Sequence, residues 1–328
     1  MDDFRKDNNQ TDLYPKFLCN LGIKKCLLFG IPNKTLGKNI FAGLEKTLNF
    51  LSFSILKFAK KFGGIISLLY NKINTNTPVN NYFKLKNFLL DLFFPKFCLG
   101  CQKEGAFLCQ DCKETLEINE FDYCLCEKYP QTISPHSLNG KCTKCQNKKI
   151  NGLFFALSYD EKSLTKKLIY QFKYPPYLKN IAKDLAEIIS EHFILSGRSS
   201  EFFGNSILIP VPIHNKKLKL RGYNQSEELA KELSKILKIP VLTDILIKIK
   251  NTPSQMTLKK EEREKNLLNA FQINNEKPAS ALWASARQRK IFLVDDVYTT
   301  GSTMQECAKT LKSAGFKNIW GITICRGE

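Results

Sequence analysis

The chain reads as an α/β protein, a mostly parallel sheet flanked by helices, preceded by a small Cys-rich segment and a basic helical extension. Three observations predict this. Short apolar runs bounded by breakers alternate with amphipathic runs across residues 151–328. Eight of the twelve Cys fall within residues 91–150. Residues 1–90 hold fourteen Lys or Arg against five acids. Strands that alternate with helices favour a parallel sheet covered on both faces, and 328 residues suffice for one such core plus smaller modules.

The elements of the α/β part follow in order. Residues 153–159 read as a strand, and residues 163–172 and 178–193 as helices. Residues 206–211 form an apolar run between breakers, the mark of a strand buried on both faces. Residues 225–237 are a helix that ends before Pro240. Residues 291–296 are a second buried strand, residues 302–313 a helix stopped by Gly315, and residues 318–325 a closing strand.

In the extension, Phe41, Leu44, Leu48, Leu51, Ile55, Phe58, Phe62, Ile65 and Leu69 recur at helical spacing. Gly63-Gly64 interrupts the pattern, and residues 71–81, with Pro78, read as a linker. This helix can pack on its own protein or lie on an anionic membrane surface. The opening Met1-Asp2-Asp3 is not a secretory n-region. No window reaches the ~18 uninterrupted apolar residues of a spanning helix. The expected location is therefore cytoplasmic, with the inner membrane face as a peripheral docking site. A net charge of +19 suits polyanions such as nucleic acid or phosphorylated metabolites, and suits equally a solvated Lys-rich surface.

In a reducing compartment, clustered Cys mean metal before disulfides. Cys98-Leu99-Gly100-Cys101, Cys109-Gln110-Asp111-Cys112 and Cys142-Thr143-Lys144-Cys145 are Cys-x2-Cys knuckles, and Cys124-Leu125-Cys126 is a shorter pair. A two-residue gap lets both sulfurs face one tetrahedral Zn²⁺, so four pairs suffice for one or two ions. Which pairs share an ion is not readable from spacing. Cys19, Cys26, Cys307 and Cys325 stand apart, the last two as core residues.

The sharpest signal is Ile291-Phe292-Leu293-Val294-Asp295-Asp296-Val297-Tyr298-Thr299-Thr300-Gly301-Ser302-Thr303. Ligands of open α/β sheets sit beyond the carboxyl ends of strands, where these two carboxylates fall. The run Thr299-Thr300-Gly301-Ser302-Thr303 then opens a helix, whose N–H groups and hydroxyls can wrap a phosphate. The acids would face ribose hydroxyls or a hard cation such as Mg²⁺. A plain N-capped turn would need only one such residue.

This segment resembles the PRPP motif of type I phosphoribosyltransferases, and the chain from residue 91 onward is similar to the ComF family, linked to competence and DNA uptake. The narrower likeness rests on Ile209-Pro210-Val211-Pro212-Ile213-His214, Arg221-Gly222-Tyr223-Asn224-Gln225-Ser226, Thr252-Pro253-Ser254-Gln255 leading to Arg263, and the Cys pairs. The basic extension over residues 1–90 lies outside the resemblance, which implies a double zinc ribbon over residues 91–150 and a phosphoribosyltransferase domain over 151–328. It implies structural Zn²⁺ on all eight paired Cys, with one residue inside the Cys124/Cys126 pair where the family has two. It also implies binding of 5-phosphoribosyl-1-pyrophosphate (PRPP) with Mg²⁺. Val211, Pro212, Ile213 and His214 would then line the pyrophosphate, Arg221 and Arg263 would supply catalytic charge, and residues 251–266 would close over the site.

Two other functions fit the same residues. One is a non-catalytic factor holding single-stranded DNA received from a competence helicase; the other is a regulator that senses PRPP. Stacking aromatics among basic groups would favour the DNA reading, with Phe121, Tyr123, Lys128 and Tyr129 as candidates.

Overall fold

A computed structural model describes residues 95–126, 130–134, 137, 140–159, 163–252, 266–274 and 286–327. The chain divides into two units, Met1–Leu89 and Leu90–Glu328, and the described residues belong to the second. The amphipathic pattern of the extension lies outside the described residues. So do Arg263, Lys128, Tyr129 and most of the expected closing loop. Among the described residues no helix is long and apolar enough to cross a membrane.

Nine strands and seven α-helices are described. The Cys-rich part contributes α1 (Gln110–Glu114), β1 (Asp122–Tyr123), β2 (Thr132–Ile133) and a 3-10 turn at Thr143–Cys145. Then come β3 (Leu153–Ser158), α2 (Leu164–Lys173), a 3-10 turn at Lys179–Ile181, α3 (Ala182–Leu195), α4 (Ser200–Phe203) and β4 (Ser206–Pro210). After these lie α5 (Asn215–Arg221), α6 (Gln225–Leu237), β5 (Leu246–Lys248) and β6 (Phe271–Ile273). The chain ends with β7 (Lys290–Val294), β8 (Val297–Tyr298), α7 (Ser302–Ser313) and β9 (Ile319–Arg326).

The main sheet has the order β2-β1-β3-β9-β7-β4, with β8 also on β9, and β5 and β6 form a separate pair. The four long strands run parallel, whereas β1 and β2 are antiparallel additions. The Cys-rich part therefore extends the sheet of the α/β part.

Strand periodicity sorts the core into two faces. Phe154, Leu208, Phe292, Val294, Ile322 and Ile324 join one cluster with apolar residues of α2, α3 and α6. Leu153, Phe155, Ile207, Ile209, Ile291 and Leu293 join the other with Met304, Cys307 and Leu311 of α7. Cys307 and Cys325 are fully buried, and burial above all holds both thiols well above their ordinary range. Both are core residues.

Most expected elements end within one residue of those observed, and two boundaries move further. The helix expected over residues 178–193 is a 3-10 turn followed by α3, which runs on to Leu195. The strand expected to reach Asp296 ends at Val294. Asp295 N–H still bonds the Ile322 carbonyl (3.0 Å), but the Asp296 carbonyl takes N–H groups from both Ile324 (3.0 Å) and Cys325 (3.3 Å). The two acids thus occupy a break in the ladder between β7 and β8.

Candidate functional site

β4 and β7 are parallel neighbours with Pro210 opposite Val294. Whatever follows either strand must leave the same edge of the sheet. Val211, Pro212, Ile213 and His214 follow β4, and Asp295 and Asp296 follow β7. Val211 N–H bonds the Val294 carbonyl at 2.9 Å, and the Asn224 amide donates to the Val211 carbonyl at 3.1 Å, fixing the first of these loops. His214 caps α5, its Nδ1 accepting from Lys216 N–H at 3.2 Å.

The acid pair is held from α2 and α6. Lys173 Nζ lies 3.0 Å from Asp296 Oδ1, and the Gln225 amide donates to Asp296 Oδ2 at 3.1 Å. Ser226 Oγ and Asp296 N–H both donate to Asp295 Oδ1, each at 2.9 Å. Arg221, at the last turn of α5, donates to the Gln225 side chain and so connects to Asp296 through it. Spacing and periodicity gave no sign of Lys173, because its contact depends on how α2 crosses the sheet edge. Gln225 and Ser226 stood inside the Arg221–Ser226 block, but their roles did not.

Burial, and then the neighbouring Asp296, push the Asp295 carboxyl up to about 7, against the pull of Lys173 and Ser226. Burial alone would lower Lys173, but Asp296 and Asp295 outweigh it and hold the ammonium above its ordinary range. Lys217 is held low by burial, then by Arg221 and Lys173. Lys248 is held low by burial, then by Lys217. Cations crowded against one another beside a carboxylate that resists ionising make a site where an anion and a hard cation would each relieve repulsion.

Thr299, Thr300, Gly301, Ser302 and Thr303 lead from β8 into α7. Gly301 has φ 74°, and a Cβ there would run into the buried Tyr298 ring, so dihedral and space both require glycine. Thr300 and Ser302 share a hydroxyl–hydroxyl bond of 2.8 Å. The first N–H groups of α7 have no intrahelical partner, which is the arrangement that receives phosphate at a helix start.

The eight paired Cys form two groups, Cys98/Cys101/Cys109/Cys112 and Cys124/Cys126/Cys142/Cys145, each with sulfurs within 4.8 Å of one another. The single-residue spacing of Cys124 and Cys126 therefore does not keep their sulfurs apart. Tetrahedral Zn–S bonds of about 2.3 Å put sulfurs roughly 3.8 Å from each other. Cys101 and Cys109 are 3.5 Å apart, Cys126 and Cys142 3.3 Å, and Cys142 and Cys145 3.7 Å. N–H groups already point at sulfurs, from Cys109 to Cys98 (3.4 Å), Gln131 to Cys124 (3.1 Å) and Cys142 to Cys145 (3.2 Å). Burial and the neighbouring thiols push Cys112 and Cys126 each up to about 12. Four sulfurs this close cannot all ionise without a cation, so both groups are compatible with structural zinc.

The family model for a phosphoribosyl transferase domain matches residues 224–328. The chain is similar to Competence protein F of Haemophilus influenzae, 31% identical over 242 residues, covering 70% of this chain and 97% of that protein. It is 29% identical over 159 residues to DNA utilization protein YhgH of Escherichia coli, covering 48% and 66% of the two chains. Against Competence protein ComFC of Bacillus subtilis it is 33% identical over 111 residues, or 33% and 39% of the two.

Proposed function

The chain belongs to the competence protein F family, and from that premise we propose that its α/β part binds PRPP with Mg²⁺ and transfers the phosphoribosyl group to an acceptor. One observation carries the reading: β4 and β7, paired in parallel, deliver the 211–214 loop and the acid pair with its Thr/Gly/Ser loop to one sheet edge. Thr299 to Thr303 would take the 5-phosphate, and Asp295 and Asp296 the ribose hydroxyls or the cation. Residues 211–214, with Arg221, Lys217 and Arg263, would face the pyrophosphate. Bound Mg²⁺ would neutralise charge on that leaving group.

In the transfer, the bond from ribose C1 to the pyrophosphate oxygen breaks and the oxygen keeps the electron pair. An acceptor lone pair forms the new bond at C1. Positive charge builds on the sugar as the old bond opens, beside the two acids. The clustered cations receive the departing charge without reorganising. Closure of residues 251–266 would exclude water from the reaction.

Calorimetric titration of PRPP with Mg²⁺ into the zinc-loaded full chain tests the reading. Saturable binding is expected in the wild type and not in an Asp295→Asn/Asp296→Asn variant. With Asp295 near 7, a ligand that needs its carboxylate must displace a proton at pH 6 and not at pH 8. Affinity should thus rise by about tenfold over that interval, with proton uptake by the buffer at the low end. A folded chain that binds no PRPP at either pH would end the proposal.

A second reading has its own observation. Phe121 is 56% exposed on the Cys-rich part, and an exposed aromatic ring offers a face on which an unpaired base can stack. In this reading the protein holds single-stranded DNA during uptake. Phe121→Ala would then weaken oligonucleotide binding and leave PRPP binding intact.

A further inference from the structure

We infer that Arg326, helped by Gln305, is a positioning residue that ties the second cysteine group to the phosphate loop, making metal in that group a determinant of how firmly the loop holds an anion. The anion part rests on the ligand reading above; the tether itself does not.

Arg326 closes β9 and is 9% exposed. Its guanidinium reaches back to the carbonyls of Cys124 (2.8 Å) and Cys126, and lies over the Phe155 and Tyr298 rings at 5.6 and 5.9 Å. No ion pair of Arg326 with a carboxylate is seen among the described residues. A buried guanidinium needs a compensating negative charge. Four thiolates around Zn²⁺ carry a net charge of about −2, which would supply it within reach of those two carbonyls.

Arg326 also stands opposite Tyr298 in the β8–β9 pairing, and Gly327 N–H bonds the Tyr298 carbonyl at 2.8 Å. Tyr298 immediately precedes Thr299, and its ring fills the space beneath Gly301. This fixes the loop at its entrance. A second tether fixes its exit. Lys149 N–H, four residues past Cys145, donates to the side chain of Gln305 in the first turn of α7. Lys141 braces the intervening turn through the carbonyls of Gln146 (3.2 Å) and Lys148 (2.7 Å).

Both ends of the loop are therefore held by segments that flank the second group and not the first. A small Cys-rich segment without its metal loses the bonds that shape it, and both tethers would slacken together. Such coupling is reciprocal: an anion that orders the loop must also retain the metal.

The test uses the zinc-loaded full chain as wild type, Arg326→Met, Arg326→Lys and Cys101→Ser. Hydrogen exchange is read on peptides covering residues 297–305, and zinc release to a chelator is timed with and without PRPP and Mg²⁺. Exchange in those peptides should quicken about tenfold in Arg326→Met, less in Arg326→Lys, which reaches only one carbonyl, and not in Cys101→Ser. In Cys101→Ser, which keeps the second site alone, PRPP should slow zinc release by a similar factor. Wild-type exchange in an Arg326→Met chain with native circular dichroism overturns the tether; if that variant misfolds, unchanged exchange in Arg326→Lys does so. Zinc release that ignores PRPP, when calorimetry shows PRPP bound, overturns the coupling. Quickened exchange in a protein that binds no PRPP supports the tether and overturns the ligand reading alone.

Discussion

The two cysteine groups have the same chemistry and dock on opposite faces of one sheet. Around the first, Leu99, Phe107, Leu108 and Leu116 pack against the core shared with α3, and Lys113 reaches Glu187 of α3 at 3.1 Å. The second sinks Cys124, Leu125 and Cys145 into the core shared with α7, among Leu153, Ile209, Leu293 and Met304. Cys101 of the first group is exposed, whereas Cys124 is fully buried. The first group braces a helix. The second is part of the wall behind the candidate ligand loop. Four sulfurs of one kind thus take different roles according to what they pack against, and nothing in a Cys-x-x-Cys spacing records that difference.

The largest effect expected from this contrast comes from removing one sulfur on each side. Cys124→Ser should lose its zinc and leave a buried hydroxyl in an apolar wall, costing on the order of 3–5 kcal/mol. Cys101→Ser should also lose one zinc but cost less than half as much, since its apolar anchors on the α3 face remain. Metal analysis should fall from two ions per chain to one in both variants, with a markedly larger drop in thermal midpoint for Cys124→Ser. Equal drops would show that the two faces depend on their metals alike.

How legible this was from sequence divides along the same line. α6 and α7 fall on the residues that periodicity indicates, because each begins with a local signal, the Asn224 side chain capping Ser226 N–H at 3.2 Å and Gly301 at φ 74°. The eight paired Cys were visible as candidate metal ligands, but their partition into two groups was not. The sequence pointed to the acid pair and the Thr/Gly/Ser loop. It did not point to Lys173, nor to Arg326, whose contacts cross about two hundred residues of chain. A buried cluster of Asp122, Arg198 and His192 was equally silent: Arg198 Nε donates to Asp122 Oδ2 at 2.7 Å, joining β1 to the segment after α3. Local propensity and spacing mark what a segment does alone, and such long-range charge pairs exist only after the sheet is assembled.

An intermediate effect is expected from Gly301→Ala, which touches neither cysteine group. Its left-handed backbone and the Tyr298 ring oppose a Cβ, so the fold should lose about 1–3 kcal/mol. The displacement falls on Tyr298, opposite Arg326. Zinc release from the second site should therefore quicken, and release from the first should not. Chelator kinetics showing both sites accelerated would mean the sheet transmits the strain to both faces and would erase the distinction drawn between them.

The smallest effect sharpens the other half of the comparison. If apolar packing on the α3 face anchors the first group, its ion pair to α3 through Lys113 should contribute little. Lys113 and Glu187 have side chains 20% and 40% exposed, where water and salt screen the attraction. Lys113→Met should change stability by no more than about 0.5–1 kcal/mol at low salt, and by less at high salt. Zinc retention in the first group should match the wild type in the same titration. A larger loss, erased by salt, would instead mean that the first group is held to α3 by charge, and that its apolar anchors are bystanders.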